Sequence, residues 1–359
     1  MKLLIVIGTR PNFIKVTRFK EVAEKIDGFS VDIVHTGQHY DEKMSGVFLE
    51  QFKLQPDHFL SLRGADASDH FENMVVDLGR LMDEIKPDVV MVPGDVNSSL
   101  AGALAAHRKG IKIAHLESGL RSRDLEMPEE VNRIKIDKLT DYFFVTEKSG
   151  MENLAEEKLI SSAADNNIFV GNTMIDTLVK HQGDIDASSI LEDSGVSQNG
   201  YGLVTMHRPS NVDNEEGVLF IISMLQKLSE KCELVFPIHP RTRKNIEAMG
   251  LWSKFEDIKG LIIGEPMGYF DFQKLIKHSK FVVTDSGGIQ EETTFCKVPC
   301  ITIRENTERP STTDIGTNHL VGCDLEAILA AVENPKTGVV PEKWDGYTTE
   351  RVIDVLRGF

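Results

Sequence analysis

The sequence lacks several features that would have fixed a function at once. It has only four cysteines, Cys232, Cys296, Cys300 and Cys323, all in the second half of 359 residues. Their spacing matches neither a zinc pattern nor a disulfide framework, so they read as ordinary buried thiols of a reducing compartment. No apolar run approaches the roughly 20 residues that a membrane span needs. Positive charge is in deficit, with 40 Lys and Arg against 56 Asp and Glu, a formal net charge of −16. That balance argues against nucleic acid as a partner, because phosphate contacts demand a surplus of Lys and Arg on one face. A small anionic ligand stays open, provided its site is made locally positive. Neither GxGxxG nor a Walker loop occurs, so the nicotinamide and ATP signatures are absent. The apolar opening, MKLLIVIGTRP, runs into Gly8 and Arg10 with no small-residue cleavage site. It reads as a first core strand, not a signal peptide, and a cytoplasmic protein is expected.

What is present is a repeated pattern of a short β-branched run, then Gly or polar residues, then a helical stretch. In the first half the runs fall at 2–7, 30–35, 88–92, 111–116, 142–146 and 168–170. In the second half they fall at 202–206, 233–238, 260–263, 281–284 and 300–303. Nearly continuous apolar runs separated by one helix each are what strands of a parallel sheet look like when both faces are covered. The length favours two domains, and the two sets give an α/β protein with two doubly wound, Rossmann-like domains. The boundary is expected near 171–173, giving domains 1–172 and 173–345.

Ligands of open parallel sheets bind beyond the carboxyl ends of the strands. Those ends read GTR (8–10), TGQH (36–39), PGD (93–95) and ESG (117–119) in the first half. The second half adds HRP (207–209), HPR (239–241), GEP (264–266) and DSGG (285–288). Charged, His and Gly residues thus collect where a ligand belongs.

Each cluster carries a chemical reading and a plainer structural one. In DSGGIQEE (285–292), Ser286, Gly287 and Gly288 open a helix whose free N–H groups and dipole suit a phosphate. Glu292, about a turn further on, can accept ribose hydroxyls. The plainer reading is a strand-to-helix turn capped by Ser286. GTRPNFIK (8–15) repeats the logic, with Arg10 and Lys15 in reach of a diphosphate, although Lys15 also reads as a solvated surface residue. His207, Arg208, His239 and Arg241 supply cationic or switchable groups at two neighbouring strand ends. Asp95, Glu117, Glu129 and Glu130 suggest acid–base work beside those cations. Alternatively Asp95 caps the helix that begins near Ser98, and Glu129 and Glu130, after Pro128, complement a helix dipole. No His, Asp and Glu set has metal-ligand spacing.

Ten segments, GTRPNFIK, HTGQHYDEKM, PGDVNSSLA, HLESGLRS with MPEEVNR, VGNTMIDTL, MHRPSNVD, FPIHPR, EPMGYFDF, TDSGGIQEE and ENTERP, follow one another in this order. In this the chain resembles the non-hydrolysing UDP-N-acetylglucosamine 2-epimerases from residue 1 to about 322. The resemblance implies a GT-B-type architecture with the active site in the interdomain cleft, and a final helix, 346–359, packed back on the first domain. It implies a cytoplasmic homodimer acting on a UDP-sugar, without metal, nicotinamide or any other cofactor. The implied reaction is reversible C2 epimerisation of UDP-N-acetylglucosamine to UDP-N-acetylmannosamine, by elimination of UDP to 2-acetamidoglucal and re-addition, serving surface-polysaccharide synthesis. By motif position Asp95, Glu117 and Glu129 are the acid–base set, and His207 lies by the diphosphate. Arg10, Ser286, Gly287 and Gly288 are implied phosphate contacts, with Lys15 in the same motif. Glu292 would hold the ribose and the stretch around Phe272 the uracil, with Arg133, His239 and Arg309 as further motif residues. The sequence departs from common family forms at Asn12-Phe13, at 96–99 and at 38–44 (QHYDEKM). The last form resembles epimerases of UDP-2,3-diacetamido-2,3-dideoxy-glucuronate, which is the alternative substrate. A retaining glycosyltransferase and a non-catalytic UDP-sugar sensor are the readings from other classes.

Overall fold

The computed structural model describes residues 1–38, 51–61, 63–64, 66–161 and 167–358. Contacts divide them into two compact units, Met1–Lys180 with Glu342–Phe359, and His181–Pro341.

In the first unit the strands are β1 (Lys2–Ile7), β2 (Ser30–His35), β3 (His58–Phe59), β4 (Val89–Pro93), β5 (Lys112–Leu116), β6 (Tyr142–Val145) and β7 (Asn167–Phe169). They form one parallel sheet in the order β3-β2-β1-β4-β5-β6-β7. Helices named below are α1 (Arg10–Val16), α2 (Ala67–Ile85), α3 (Asn97–Lys109), α4 (Pro128–Leu139) and α5 (Thr173–Lys180). The apolar runs are continuous because both sheet faces are buried; every residue of β4 is out of solvent. On one face Leu4, Val6, Val90 and Val92 pack with Leu78 and Met82 of α2 and with Ala101 and Ala105 of α3.

The second unit repeats the plan with β8 (Tyr201–Thr205), β9 (Glu233–Pro237), β10 (Leu261–Gly264), β11 (Phe281–Thr284), β12 (Cys300–Thr302) and β13 (Asn318–Leu320). Their order is β10-β9-β8-β11-β12-β13, again parallel. Helices α6 (Pro209–Val212) and α7 (Gly287–Cys296) follow β8 and β11. In both sheets the winding reverses beside the first strand, between β1 and β4 and between β8 and β11. That reversal is where open α/β sheets form their ligand crevice.

Three details depart from the sequence expectation. Strands β3 and β13 are additional, and both are edge strands. β3 has only two residues, paired at Val34–His58 and His35–Phe59, too short to give a periodic signal. β13 is polar, and its Asn318 is buried because its amide bonds Gln290, Thr302 and Thr312. The chain also crosses between units after Lys180, not near residue 172. Helix α5 stays with the first unit because the Thr177 hydroxyl reaches the Ile14 carbonyl at 2.5 Å and the Thr17 hydroxyl at 2.6 Å. Helix α8 (Thr348–Arg357) completes this unit. The buried Asp176 of α5 accepts its first N–H groups, Thr348 N at 3.0 Å and Thr349 N at 2.6 Å.

The last residue of β2, His35, is fully buried, stacked on Phe13 at 5.3 Å and near Phe59 at 5.6 Å. Burial pushes its imidazole down to about 4. The folded ring is therefore neutral where an unfolded one, with a pKa near 6.5, takes up a proton. Its contribution to stability is complete above pH 6.5 and is lost as the pH falls toward 4, by about 3 kcal/mol at full extent. Urea unfolding at pH 7 and at pH 4.5 should show this loss, and His35→Phe should reduce the difference between the two.

Candidate active site

In the first unit the strand-end turns converge through one asparagine. Asn12 lies in the first turn of α1, where its Oδ1 accepts from Gly8 N and Thr9 N, each at 3.3 Å. Its Nδ2 donates to the Pro93 carbonyl at 2.9 Å, tying the end of β1 to the end of β4. A turn further along α1, Lys15 is buried, with Nζ 2.6 Å from Glu117 Oε2. The solvated alternative for Lys15 is thus not the one adopted. Gly94 closes against this pair with φ of 64°, and a Cβ there would lie 2.8 Å from Lys15 Nζ. Only glycine fits.

Glu117 is 3% exposed and has φ of 73°, the left-handed region. A side-chain-bearing residue held there costs roughly 1–3 kcal/mol, and such strain gathers at functional sites. Its Oε2 is on Lys15, while Oε1 is buried with no hydrogen-bond partner among the described residues. A carboxylate oxygen so placed is available to a reacting group.

Asp95 does not cap α3, whose N-cap is Val96. Its carboxylate pairs with Arg133 of α4, which also pairs with Glu130. Glu129 and Glu130 have different fates, although both lie in the first turn of α4. Glu129 is exposed. Glu130 is fully buried and accepts from Ser122 N and Arg123 N, each at 3.0 Å, so it anchors the loop before α4.

In the second unit the switch point carries a histidine–aspartate pair. Asp285, at the end of β11, is fully buried and accepts from His207 N, Arg208 N at 2.9 Å and Asn211 Nδ2 at 3.0 Å. His207 Nδ1 lies 3.0 Å from Asp285 Oδ1, with the ring 40% exposed. Burial works against the charge of Asp285. The hydrogen bond and charge of His207, the Arg208 N–H and Asn211 outweigh it and hold the carboxyl below its usual range. His207 thus donates from Nδ1 and presents Nε2 outward. The His239 ring lies 5.8 Å away, and its Nδ1 accepts from Arg241 N at 3.2 Å.

Ser286 is the N-cap of α7, yet its hydroxyl makes no cap bond, so Ser286, Gly287 and Gly288 present a hydroxyl and free helix N–H groups. A Cβ on Gly287 would stand 2.8 Å from both Arg309 Nη1 and Glu308 Oε1. Arg309 is buried behind this turn, 2.9 Å from Glu291 and paired with Glu308. Glu292 is buried one turn into α7. Phe272 lies on the helix Tyr269–His278, partly buried against Leu275 and Ile276. The side chain of Arg10 and the stretch 39–44 lie outside the described residues.

The four thiols are free, and burial pushes Cys300 up to about 11 and Cys296 up to about 12, which makes them poor nucleophiles. Among the described residues, no group of three or more His, Cys, Asp or Glu is placed to hold a metal ion, and no helix is long and apolar enough to cross a membrane.

Sequence reasoning did not single out Asp285, and it named Glu130 only together with Glu129. Asp285 was overlooked in favour of the glycines after it, although an aspartate ending a strand beside a His-ending strand is a usable signal. Glu130 was not separated from Glu129, and only the burial of one helix face distinguishes them.

The sequence profile of the UDP-N-acetylglucosamine 2-epimerase family matches residues 21–357. The chain is 38% identical to the UDP-N-acetylglucosamine 2-epimerase of Methanocaldococcus jannaschii, covering 99% of each. It is 36% identical to the UDP-2,3-diacetamido-2,3-dideoxy-D-glucuronate 2-epimerase of Pseudomonas aeruginosa, over 94% of this chain and 92% of the other. Among solved structures, that of the M. jannaschii UDP-GlcNAc 2-epimerase in complex with UDP-GlcNAc and UDP superposes with a TM-score of 0.89, at 36% identity and full coverage of both chains. With a family profile spanning nearly its whole length and relatives of this similarity, the chain belongs to the UDP-N-acetylglucosamine 2-epimerase family of isomerases.

Proposed function

We propose that the protein interconverts UDP-N-acetylglucosamine and UDP-N-acetylmannosamine by eliminating and re-adding UDP. The observation that carries this reading is Glu117, a buried, strained carboxylate held on Lys15 with one oxygen unpartnered among the described residues. Binding an anion gains nothing from such a group, whereas removing a proton requires one.

Carbon 2 has no adjacent carbonyl, so simple removal and return of its proton is too slow. Elimination avoids this. A carboxylate takes the proton from carbon 2, the C1–O bond breaks with its electron pair leaving on UDP, and a C1=C2 double bond forms. Return of UDP to carbon 1, with a proton delivered to the other face of carbon 2, gives the epimer. Asp95, Glu117 and Glu129 form the acid–base set. Their partners fit the role, since Lys15 and Arg133 fix the positions of the Glu117 and Asp95 carboxylates through ion pairs. His207, oriented by Asp285, and Arg10 meet the diphosphate, and Ser286, Gly287 and Gly288 hold it through helix N–H groups. Glu292 takes the ribose and Phe272 the uracil, with Arg133, His239 and Arg309 supporting. The reading takes the enzyme as a cytoplasmic homodimer serving surface-polysaccharide synthesis.

A second substrate, UDP-2,3-diacetamido-2,3-dideoxy-glucuronate, is favoured by the P. aeruginosa relative, whose 36% identity is close to that of the M. jannaschii enzyme. Comparing kcat/KM for the two nucleotides decides between them. At least a tenfold preference for UDP-N-acetylglucosamine is expected, and the opposite preference reassigns the substrate. For the diphosphate site, Gly287→Ala should weaken UDP binding about tenfold or more, because the new methyl meets Arg309 and Glu308 at the start of the helix. Titration calorimetry with UDP checks this, and Ser286→Ala should weaken binding less.

A further inference from the structure

The chemistry above leaves unused a buried charged cluster in the first unit. His115 of β5 and Asp137 of α4 are fully buried, and the Arg121 side chain is 3% exposed. Asp137 Oδ1 lies 2.6 Å from His115 Nδ1, and its Oδ2 lies 2.7 Å from Arg121 Nη1. The same Oδ2 accepts from Gly119 N at 3.1 Å. His115 Nε2 lies 3.0 Å from the Gly94 carbonyl oxygen. The His115 ring thus bridges the Asp137 carboxylate and the Gly94 carbonyl. Arg121 is forked onto Glu157 at 2.7 Å by Nε and Nη2. Burial opposes the charge of Asp137, but the charge and hydrogen bond of His115, then those of Arg121, hold it below the usual carboxylate range.

The spacing along the chain gives the cluster its purpose. His115 and Gly119 stand two residues before and two residues after Glu117, and one carboxylate holds both. Glu117 N and Ser118 N both donate to the Phe144 carbonyl, at 3.0 and 3.2 Å, within the span so clamped. Strained backbone persists only where its surroundings over-determine it. Through the bond from His115 to the Gly94 carbonyl, the cluster also grips the turn that carries Asp95.

We infer that Asp137 is a positioning residue, which acts with His115 to hold Glu117 in its left-handed conformation facing Lys15 and to set the neighbouring Asp95 turn. The inference rests on the reading of Glu117 and Asp95 as acid–base groups, but its geometric half is testable without that reading.

The test compares the full-length parent with Asp137→Asn and His115→Gln, using turnover, UDP affinity and amide hydrogen exchange at Ser118 and Gly119. Both variants should bind UDP within about threefold of the parent while kcat falls about a hundredfold, with clearly faster exchange at both amides. A salt bridge that merely stabilised the fold would lower Tm and leave kcat of the folded protein unchanged. A folded variant with kcat within about threefold of the parent and unaltered exchange overturns the inference. If Asp137→Asn does not fold, His115→Gln decides by the same readouts. Failure of the parent to epimerise either nucleotide would defeat the proposed function instead, and exchange at Ser118 and Gly119 would still decide the clamp.

Discussion

Glu117→Gln and Asp95→Asn should each lower turnover by about a thousandfold or more while UDP affinity stays within about threefold. Gln keeps an oxygen that can accept from Lys15 Nζ, and Asn keeps one for Arg133, so neither change strips a buried cation of its partner. What each removes is the ability to take or give a proton. Steady-state kinetics with UDP titration calorimetry separates the two effects. Loss of UDP binding, or of folding, would show that the residue holds the structure or the nucleotide and does no acid–base work. Lys15→Met makes the converse change by leaving a buried carboxylate uncompensated. It should cost about 3–5 kcal/mol in unfolding free energy as well as activity.

Asp285→Asn should lower kcat by about a hundredfold to ten-thousandfold. Four donors from His207, Arg208 and Asn211 converge on Asp285, and an amide can accept only through its one oxygen. Its NH2 group must then face a donor or an imidazole lone pair, so the ring loses its anchor or turns its other tautomer toward the ligand. The nucleotide should still bind, because the Ser286–Gly288 turn is built by the helix and not by the imidazole. Kinetics and UDP titration on Asp285→Asn check this, and parental kcat would show that His207 does not depend on Asp285.

How far the chain could be read ahead of its structure depended on burial. Strands such as KLLIVI and VVMVP were legible because both faces of a parallel sheet are covered, so the apolar run is unbroken. The edge strands His58–Phe59 and Asn318–Leu320 were not, since one is two residues long and the other is polar. The passage between units was misplaced by one helix, because the hydrogen bond from Thr177 to Ile14 spans 163 positions. The ordered motifs disclosed the family, and strand ends disclosed where the polar groups gather. Partnerships were beyond reach for the same reason as the boundary. Nothing local to Lys15 tells that its ammonium meets a carboxylate 102 residues away, and nothing in KIAHL marks its histidine as anything but a strand residue.

The proposed reaction inverts carbon 2 by loss and return of its proton through an eliminated intermediate. The most direct measurement is the reaction of UDP-N-acetylglucosamine in heavy water, followed by NMR and mass spectrometry of the epimer. One solvent deuterium is expected at carbon 2 of UDP-N-acetylmannosamine, with none elsewhere in the sugar. Epimer formed without deuterium at carbon 2 would contradict the proposed reaction.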